Sequence, residues 1–254
     1  MQIDSRYQVP NLERALVMME YLLDHPDGLT LSELTVALKL PKNSVFRISN
    51  TLLAHGYLNR DATEKRFTLS RKLLTMGQMS LAEKPIVPTA IDIMQKCRDE
   101  VHETVLIGTL VESQFVVMEQ VLGSHPFKFS IDLGVQLEIH VSAPGKAMLA
   151  YLPEREVEKR LKGYRFVRYN ERTITSKRAL MKELRAIREC GFGLDRGEQL
   201  HGIHCVSAPI FNRHQRPIAA IWVTGPIDRL PKEAFPGLGR TMRSYADQIS
   251  ERLL

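Results

Sequence analysis

The stretch LPKNSVFRISNTLLAHGYLNR, residues 40–60, decides how the first part of the chain folds. Its spacing predicts a helix from Lys42 to Leu53 that is closed by the glycine at position 56. At about 100° per residue, one side of this helix is apolar and the other carries amide, hydroxyl and guanidinium groups without a carboxylate. The apolar side comprises Val45, Ile48, Ser49, Leu52 and Leu53, and the polar side Asn43, Ser44, Arg47, Asn50 and Thr51. Phe46 lies at the border, and we expect it to pack against a neighbouring element. A face that only meets solvent usually mixes acidic and basic residues, so this pattern favours a helix that binds DNA.

Two further helices and a hairpin surround this segment. Asn11–His25 has helical apolar spacing, and Thr30 followed by Glu33 forms a capping-box pair at the start of a second helix. Tyr57–Arg60 and Lys65–Leu69 read as strands joined by a turn. Three helices and a basic hairpin predict a winged helix-turn-helix, with the third helix in the major groove and the hairpin near phosphate. The predicted DNA contacts are Lys42, Asn43, Ser44, Arg47, Asn50, Thr51, Arg60, Lys65 and Arg66.

The positive charge of the chain is concentrated in this region. The formal net charge is +6. Between Lys39 and Lys72, eight lysine and arginine residues stand against only Asp61 and Glu64, which leaves a net charge of +6 in this window and a balance of zero elsewhere. A local basic patch attracts polyanions such as DNA. A basic surface without a partner has the same composition, so charge alone supports DNA binding without establishing it.

Composition narrows the class of protein. A length of 254 residues suits two domains, and 44% hydrophobic with 25% charged residues is typical of a globular protein. No apolar run is long enough to span a bilayer, and residues 1–6 lack the apolar core of a signal peptide. The three cysteines are widely spaced, which predicts neither a disulfide framework nor a zinc site. We therefore expect a cytoplasmic protein without a membrane partner, metal or cofactor.

The remainder of the chain predicts a linker and a second domain. A helical-period stretch ends at Pro85, so we assign residues 8–70 to the winged helix-turn-helix, 71–84 to a linker helix and 85–254 to the second domain. In that domain the patterns predict strands at 104–110, 115–121, 127–131 and 192–195, a hairpin over 202–226, and helices between and after them. Helices with antiparallel strands indicate an α+β fold with one sheet flanked by helices.

Long blocks of the sequence resemble the IclR-type transcriptional regulators. The blocks are NLERALVMMEYL, GLTLSELTVALKLPKNSVFRISNTLLAHGYL, RFTLSRKLLTMG, HVSAPGKAMLAYLP, RTITSKRALMKELRAIRECGFGLDRGEQLHGIHCVSAPIFN and AAIWVTGP. The resemblance implies a winged helix domain, a linker helix and a GAF-like α/β effector domain. It also implies homodimers or tetramers on palindromic double-stranded DNA operators, working on the bacterial nucleoid, with repression of catabolic genes in response to a small carboxylate such as a sugar acid or keto acid.

The resemblance also implies an effector site in the second domain. By position, its residues are Ala143, Pro144, Gly145, Asp195, Cys205, Trp222 and Thr224. The first three begin a helix, whose free backbone amides can hold a carboxylate. Trp222 departs from the small polar residues that are common at its position. Because Trp222 and Thr224 are two residues apart on one strand, they share a face, so the indole either shrinks the pocket or stacks on the ligand.

Other interpretations remain open from the sequence. Cys205 with Asp195 and a histidine is also typical of a hydrolytic set, but no nucleophile elbow or phosphate loop is present. His201, His204 and Cys205 could imitate a metal cluster, although His204 and Cys205 would point to opposite faces of a strand. Lys146 could serve only the surface potential at the helix start, Asp195 could be a surface acid, and Trp222 could be plain core. The winged helix could also bind protein instead of DNA.

Overall fold

The computed structural model describes residues 9–74, 76 and 85–254. The chain forms two compact units, divided between residues 80 and 81. Most of the predicted linker helix, 71–84, lies outside the described residues. Within that range, residues 72–74 and 76 are helical.

The N-terminal unit contains the predicted winged helix-turn-helix. Its elements are α1 (Pro10–Leu23), α2 (Leu31–Ala37), α3 (Lys42–Ala54), β1 (Leu58–Arg60) and β2 (Phe67–Leu69). The capping box at Thr30 and Glu33 is formed in both directions and fixes the start of α2. The strands pair antiparallel, with Leu58 opposite Leu69, and a bridge from Leu29 to Phe67 adds the segment before α2 to the hairpin. Its core comprises Met18, Leu22, Leu34, Val45, Ile48, Leu52, Leu58 and Phe67.

The C-terminal unit is an antiparallel sheet with helices on both faces. Its elements are α4 (Ile86–Val101), β3 (Thr104–Val111), β4 (Gln114–Val121), β5 (Gln136–Glu138), α5 (Ala143–Tyr151), α6 (Glu154–Leu161), α7 (Lys177–Cys190), β6 (Gly193–Asp195), β7 (Ile203–Phe211), β8 (Pro217–Pro226) and α8 (Phe235–Leu253). The strand order is β5-β4-β3-β8-β7-β6. One face packs against α4 and α8, and the other packs against α5, α6 and α7.

Sequence periodicity placed one strand wrongly. Residues 127–131 were expected to form a strand, but they have no regular secondary structure, and the strand next to β4 at the edge of the sheet is Gln136–Glu138. Side chains bind the backbone of the 127–131 segment: the Thr104 hydroxyl donates to the Phe129 carbonyl at 2.6 Å, and the Gln120 side-chain oxygen accepts from the Ile131 amide at 3.2 Å. These bonds take the place of a strand ladder.

Among the described residues, no helix has the length and apolar character needed to cross a membrane.

Candidate nucleic-acid interface and effector site

The outward face of α3 is exposed and acid-free. Lys42, Asn43, Arg47, Asn50 and Thr51 are exposed, and Ser44 is half-buried. The opposite side is buried, as the amphipathic pattern predicts. Asn50 and Thr51 bond locally, to the Phe46 carbonyl at 2.8 Å and the Arg47 carbonyl at 2.9 Å. The outward face of α3 is therefore an accessible cationic surface that also carries amide and hydroxyl groups.

Phe46 does not pack in the way that the sequence suggested. Its side chain is 54% exposed. Val45, one position earlier, is fully buried, so a rotation of about 100° moves Phe46 out of the core and beside the exposed Asn50. An apolar group therefore lies within the polar surface of α3.

Sequence reasoning missed one basic residue beside this face. Arg14 of α1 donates to the Ser44 hydroxyl at 3.4 Å. Together with Asn43 and Arg47 it lines a groove of about 560 Å³ between α1 and α3. The only signal for Arg14 in the sequence was its position on the polar side of an amphipathic helix. Most exposed arginines share such a position, so the signal did not single Arg14 out.

The basic residues of the hairpin differ in the contacts that they make within the N-terminal unit. Arg66 donates to the Gly28 carbonyl at 2.8 Å and forms ion pairs with Glu33 at 3.3 Å and Glu64 at 3.2 Å. Arg60 and Lys65 are exposed; the Arg60 guanidinium lies 5.3 Å from the centre of the Phe67 ring. Arg66 thus holds the hairpin against the start of α2, whereas Arg60 lies over the Phe67 ring and the Lys65 ammonium donates to the Ala62 carbonyl within the hairpin turn.

The strand residues of the expected effector site form one row across the sheet. Asp195 pairs with Cys205, and Cys205 pairs with Thr224, so three neighbouring strands place them side by side. The Cys205 thiol donates to the Thr224 hydroxyl oxygen at 3.3 Å. We call Asp195, Cys205 and Thr224 the polar row. Trp222 lies on the same face, is 1% exposed and meets the Phe115 ring edge-on at 5.5 Å.

The start of α5 lies against the same end of the sheet. Ala143, Pro144 and Gly145 are buried. A β-carbon built on Gly193 would lie 2.6 Å from the Ala143 carbonyl oxygen, so the missing side chain permits the close approach of α5 to β6. Ser142, the N-cap residue, is 7% exposed, and its hydroxyl has no hydrogen-bond partner within the described part of the chain. A helix N-terminus with unsatisfied donors is a ready anion site.

Lys146 is not a surface residue, contrary to one interpretation of the sequence. It is fully buried, and its ammonium group forms an ion pair with Glu198 at 2.5 Å. Asp195 is also buried and accepts a hydrogen bond from the Glu198 amide at 2.7 Å. Glu198 was missed because an acid in a loop gives no periodic signal that it will be buried.

Burial changes the protonation of this cluster. Burial raises the pKa of Asp195 above its usual range, while the Lys146 charge opposes the change. Burial raises the pKa of Glu198 to about 7, again against the effect of Lys146. The pKa of the Cys205 thiol is also raised by burial, so this cysteine is an uncharged, weakly nucleophilic group.

The histidine beside Cys205 is directed away from the polar row. His204 is buried on the other face of β7, where its Nδ1 lies 2.7 Å from the Leu230 carbonyl and its ring packs against Phe235. Within residues 9–74, 76 and 85–254, no three histidine, cysteine or acidic side chains are grouped so as to hold a metal. His204 is therefore not placed to act as a base for Cys205.

Known proteins match both units. The IclR helix-turn-helix domain family matches residues 11–62, and the bacterial transcriptional regulator IclR C-terminal family matches residues 78–251. The transcriptional repressor IclR of Escherichia coli K12 is 27% identical and aligns over 96% of this chain and 89% of its own.

Two further proteins extend the comparison. The HTH-type transcriptional regulator XynR of E. coli K12 is 29% identical over 84% of each chain. The crystal structure of Thermotoga maritima IclR has a TM-score of 0.71 at 25% identity and covers 97% of this chain and 99% of its own. These matched families and relatives are transcriptional regulators, not enzymes. The chain therefore belongs to the IclR family of bacterial transcriptional regulators, with a winged helix-turn-helix followed by the family's C-terminal domain.

Proposed function

We propose that this regulator is a repressor of catabolic genes in the bacterial cytoplasm, where it binds nucleoid DNA at palindromic operators as a homodimer or tetramer. The proposal treats residues 8–70, 71–84 and 85–254 as DNA-binding domain, linker helix and effector domain. The observation that carries it is the exposed, acid-free face of α3 in a helix-turn-helix unit. Repression is favoured because the E. coli relative is a repressor.

In this proposal α3 reads bases and the hairpin holds phosphates. Arg47 and Asn50 offer the paired donors and acceptors that suit guanine and adenine edges. Lys42, Asn43, Ser44 and Thr51 surround them. Arg60 and Lys65 contact phosphates, and Arg66, which is engaged with Glu33 and Gly28, contributes mainly by orienting the hairpin.

Binding to the DNA upstream of the chain's own gene tests the first part. Fluorescence anisotropy with a labelled fragment should give binding that weakens steeply as salt is raised, because each contacted phosphate releases a counterion. A shuffled fragment of equal length should bind more weakly and with a shallower salt slope. Equal binding of both fragments, or no binding at low salt, would contradict operator recognition.

The effector proposal places a small carboxylate, from a sugar acid or keto acid, between α5 and the polar row. The amides of Ala143 and Gly145 and the orphan hydroxyl of Ser142 receive the acid group, since Pro144 has no amide hydrogen. Asp195, Cys205 and Thr224 orient the remaining polar groups, and Trp222 closes the site. Ligand and operator then influence each other's affinity by the same factor.

The Asp195→Ala substitution tests this site. We expect the variant to bind the operator as the wild type does, but to lose the change in operator affinity that candidate acids produce. Thr173→Ala, a buried polar residue bonded to Glu198 outside the polar row, is the matched control and should keep the response. An unaltered response in Asp195→Ala would remove Asp195 from the effector site.

A further inference from the structure

Phe46 places an aromatic ring on the accessible part of α3, among polar groups. Its side chain is 54% exposed, whereas Val45 and Ile48 of the same helix are buried in the core of the N-terminal unit. Covering apolar surface is favourable, so a partner that meets this face gains affinity if it offers the ring an apolar group. The chemistry of that group follows from the position of the ring and from its neighbours.

Phe46 lies in the part of α3 that reaches base edges when a helix-turn-helix binds DNA. The N-terminal residues of a recognition helix make these contacts, and Phe46 is the fifth residue of α3, which begins at Lys42. At about 100° per residue, Phe46 lies between Lys42 and Asn50 around the helix axis. Both neighbours are exposed and polar, and α3 contains no acidic residue. The ring therefore belongs to the surface that the proposed function directs into the major groove.

A hydrogen bond fixes how Asn50 stands beside the ring. The Asn50 side-chain nitrogen donates to the Phe46 carbonyl at 2.8 Å, which uses one of its two N–H groups. The second N–H and the side-chain oxygen then remain for a ligand. One donor next to one acceptor matches the N7 and the amino group that adenine exposes in the major groove. Asn50 is thus held in an arrangement that suits an adenine.

An A·T pair also offers the apolar group that the ring lacks. The thymine of the pair carries its C5-methyl group on the same major-groove edge as the adenine N7 and amino group. Side chains four residues apart on a helix have Cβ atoms about 5–6 Å apart, and stacked base pairs are about 3.4 Å apart. When the Asn50 amide meets an adenine, the Phe46 ring therefore lies within reach of a thymine methyl on the same base pair or the next one.

The surroundings of Phe46 favour DNA over a protein as the partner of the ring. The core of a protein interface is an apolar patch to which several side chains contribute. Around Phe46 the exposed side chains of Asn43, Arg47 and Asn50 are polar, so the ring stands alone. A thymine methyl in the major groove is likewise a single apolar group among hydrogen-bonding atoms, and the two surfaces are complementary.

We propose that Phe46 reads thymine through its C5-methyl group and, together with Asn50, selects A·T pairs at one position of each operator half-site. The inference rests on the proposed operator binding and deepens it by assigning a base to this position. Cytosine carries an amino group and no methyl group on its major-groove edge, so it cannot replace thymine beside the ring. Burial of one methyl group changes affinity about fourfold, or roughly fifteenfold when both half-sites change together.

Operator DNA in which deoxyuridine replaces every thymine tests the proposal, because uracil differs from thymine only in lacking the C5-methyl group. Fluorescence anisotropy of the full-length protein is measured with the thymine and uracil forms of the fragment upstream of its gene. We expect wild type to bind the uracil form roughly four- to fifteenfold more weakly. Phe46→Ala should bind the thymine form more weakly by a similar factor and should not distinguish the two forms.

The matched control is Phe127→Ala, which removes a phenyl ring that is 69% exposed in the C-terminal unit. It should keep the wild-type ratio of affinities for the two forms. Circular dichroism establishes that each variant is folded. The comparison of the two DNA forms with wild type needs no variant, so it decides the question of the methyl contact even if Phe46→Ala unfolds.

The outcomes separate the contact from the proposed function. Equal binding of both forms by wild type overturns the thymine contact while operator recognition stands. A loss on the uracil form that persists in Phe46→Ala means that another group senses the methyl, and it overturns the role of Phe46. If wild type binds the thymine form no better than the shuffled fragment, operator recognition itself fails and the inference fails with it.

Replacement of single thymines tests the partnership with Asn50. We expect the sensitive thymine to lie within one base pair of an adenine whose 7-deaza analogue, which lacks the N7 acceptor, weakens binding by wild type but not by Asn50→Ala. A sensitive thymine farther from that adenine would overturn the joint selection of A·T pairs by the two residues.

Discussion

The outward face of α3 and the polar row of the C-terminal sheet both present polar groups, but in opposite environments. The first is exposed, and its side chains bond only to nearby groups or to none. The second is nearly closed, and each ionisable group faces another. A long polyanion binds to charges that are accessible on a surface, whereas a small ligand binds to groups that are already positioned and partly desolvated. Substitutions should therefore alter affinity on the first surface and both affinity and stability at the second.

The largest effect is expected for Lys146→Met, which removes the buried cation from Glu198 and leaves it only the partly exposed Arg196, 3.7 Å away. Breaking one side of a buried ion pair typically costs about 3–5 kcal/mol. The single tryptophan, Trp222, lies in the same unit, so thermal unfolding followed by its fluorescence measures this loss. The double variant Lys146→Met, Glu198→Leu should recover much of it, because an apolar pair replaces the charges. A single variant as stable as wild type would show that the ion pair is not needed.

Arg47→Ala is expected to change binding and leave stability unaltered. Loss of one good base contact weakens binding by about 1–3 kcal/mol, which is roughly 5- to 150-fold. Anisotropy against the operator fragment measures the loss. Arg178→Ala, an exposed arginine on α7, is the matched control and should bind normally. Normal operator binding by Arg47→Ala would mean that α3 does not contact the bases through this residue.

The pH dependence of stability should reveal the environment of Glu198. Its pKa is raised from 4.5 to about 7 in the folded state, so between these values the folded protein holds a proton that the unfolded chain releases. This group therefore stabilises the fold at low pH, and its contribution is lost as pH rises from about 4.5 to 7. We expect the melting temperature of wild type, followed by Trp222 fluorescence, to fall by a few degrees more over this range than that of Glu198→Gln. Parallel curves would contradict the raised pKa.

Phe46→Ala should have the smallest effect on folding. An exposed side chain away from the core changes stability by about 0.5 kcal/mol or less, although the residue lies on α3. Ile48→Ala, two residues away but buried, should cost about 2–5 kcal/mol in urea unfolding followed by circular dichroism. A large loss for Phe46→Ala would mean that the ring is covered in solution.

The parts of the fold that local pattern determines were predictable. The capping box at Thr30 and Glu33 and the hairpin over residues 202–226 were both predicted, and both follow directly from local chemistry. The segment 127–131 was mispredicted because its strand-like composition was outweighed by side-chain bonds from Thr104 and Gln120, which are distant in sequence. Local propensity has no access to such partners.

The candidate effector site likewise contains residues that the sequence could predict and residues that it could not. Asp195, Cys205 and Thr224 could be placed by family resemblance, and β-sheet register explains why they are neighbours. The buried pair of Lys146 and Glu198 could not be foreseen, because 52 positions separate the two residues and each is ordinarily a surface type. Exposure of Phe46 was also missed, since a border position on a helix is resolved only by what packs beside it.

The Arg66 contacts have a consequence for how the DNA-binding unit moves. Arg66 joins the returning strand to the Gly28 carbonyl and to Glu33, the same acid that caps α2 through Thr30. The Arg66 side chain therefore couples the orientation of the hairpin to the pair of helices α2 and α3. The distance between the groove contacts of α3 and the backbone contacts of the hairpin is then fixed before DNA binds. Thermal motion of the hairpin is transmitted to α2 through the Arg66 contacts.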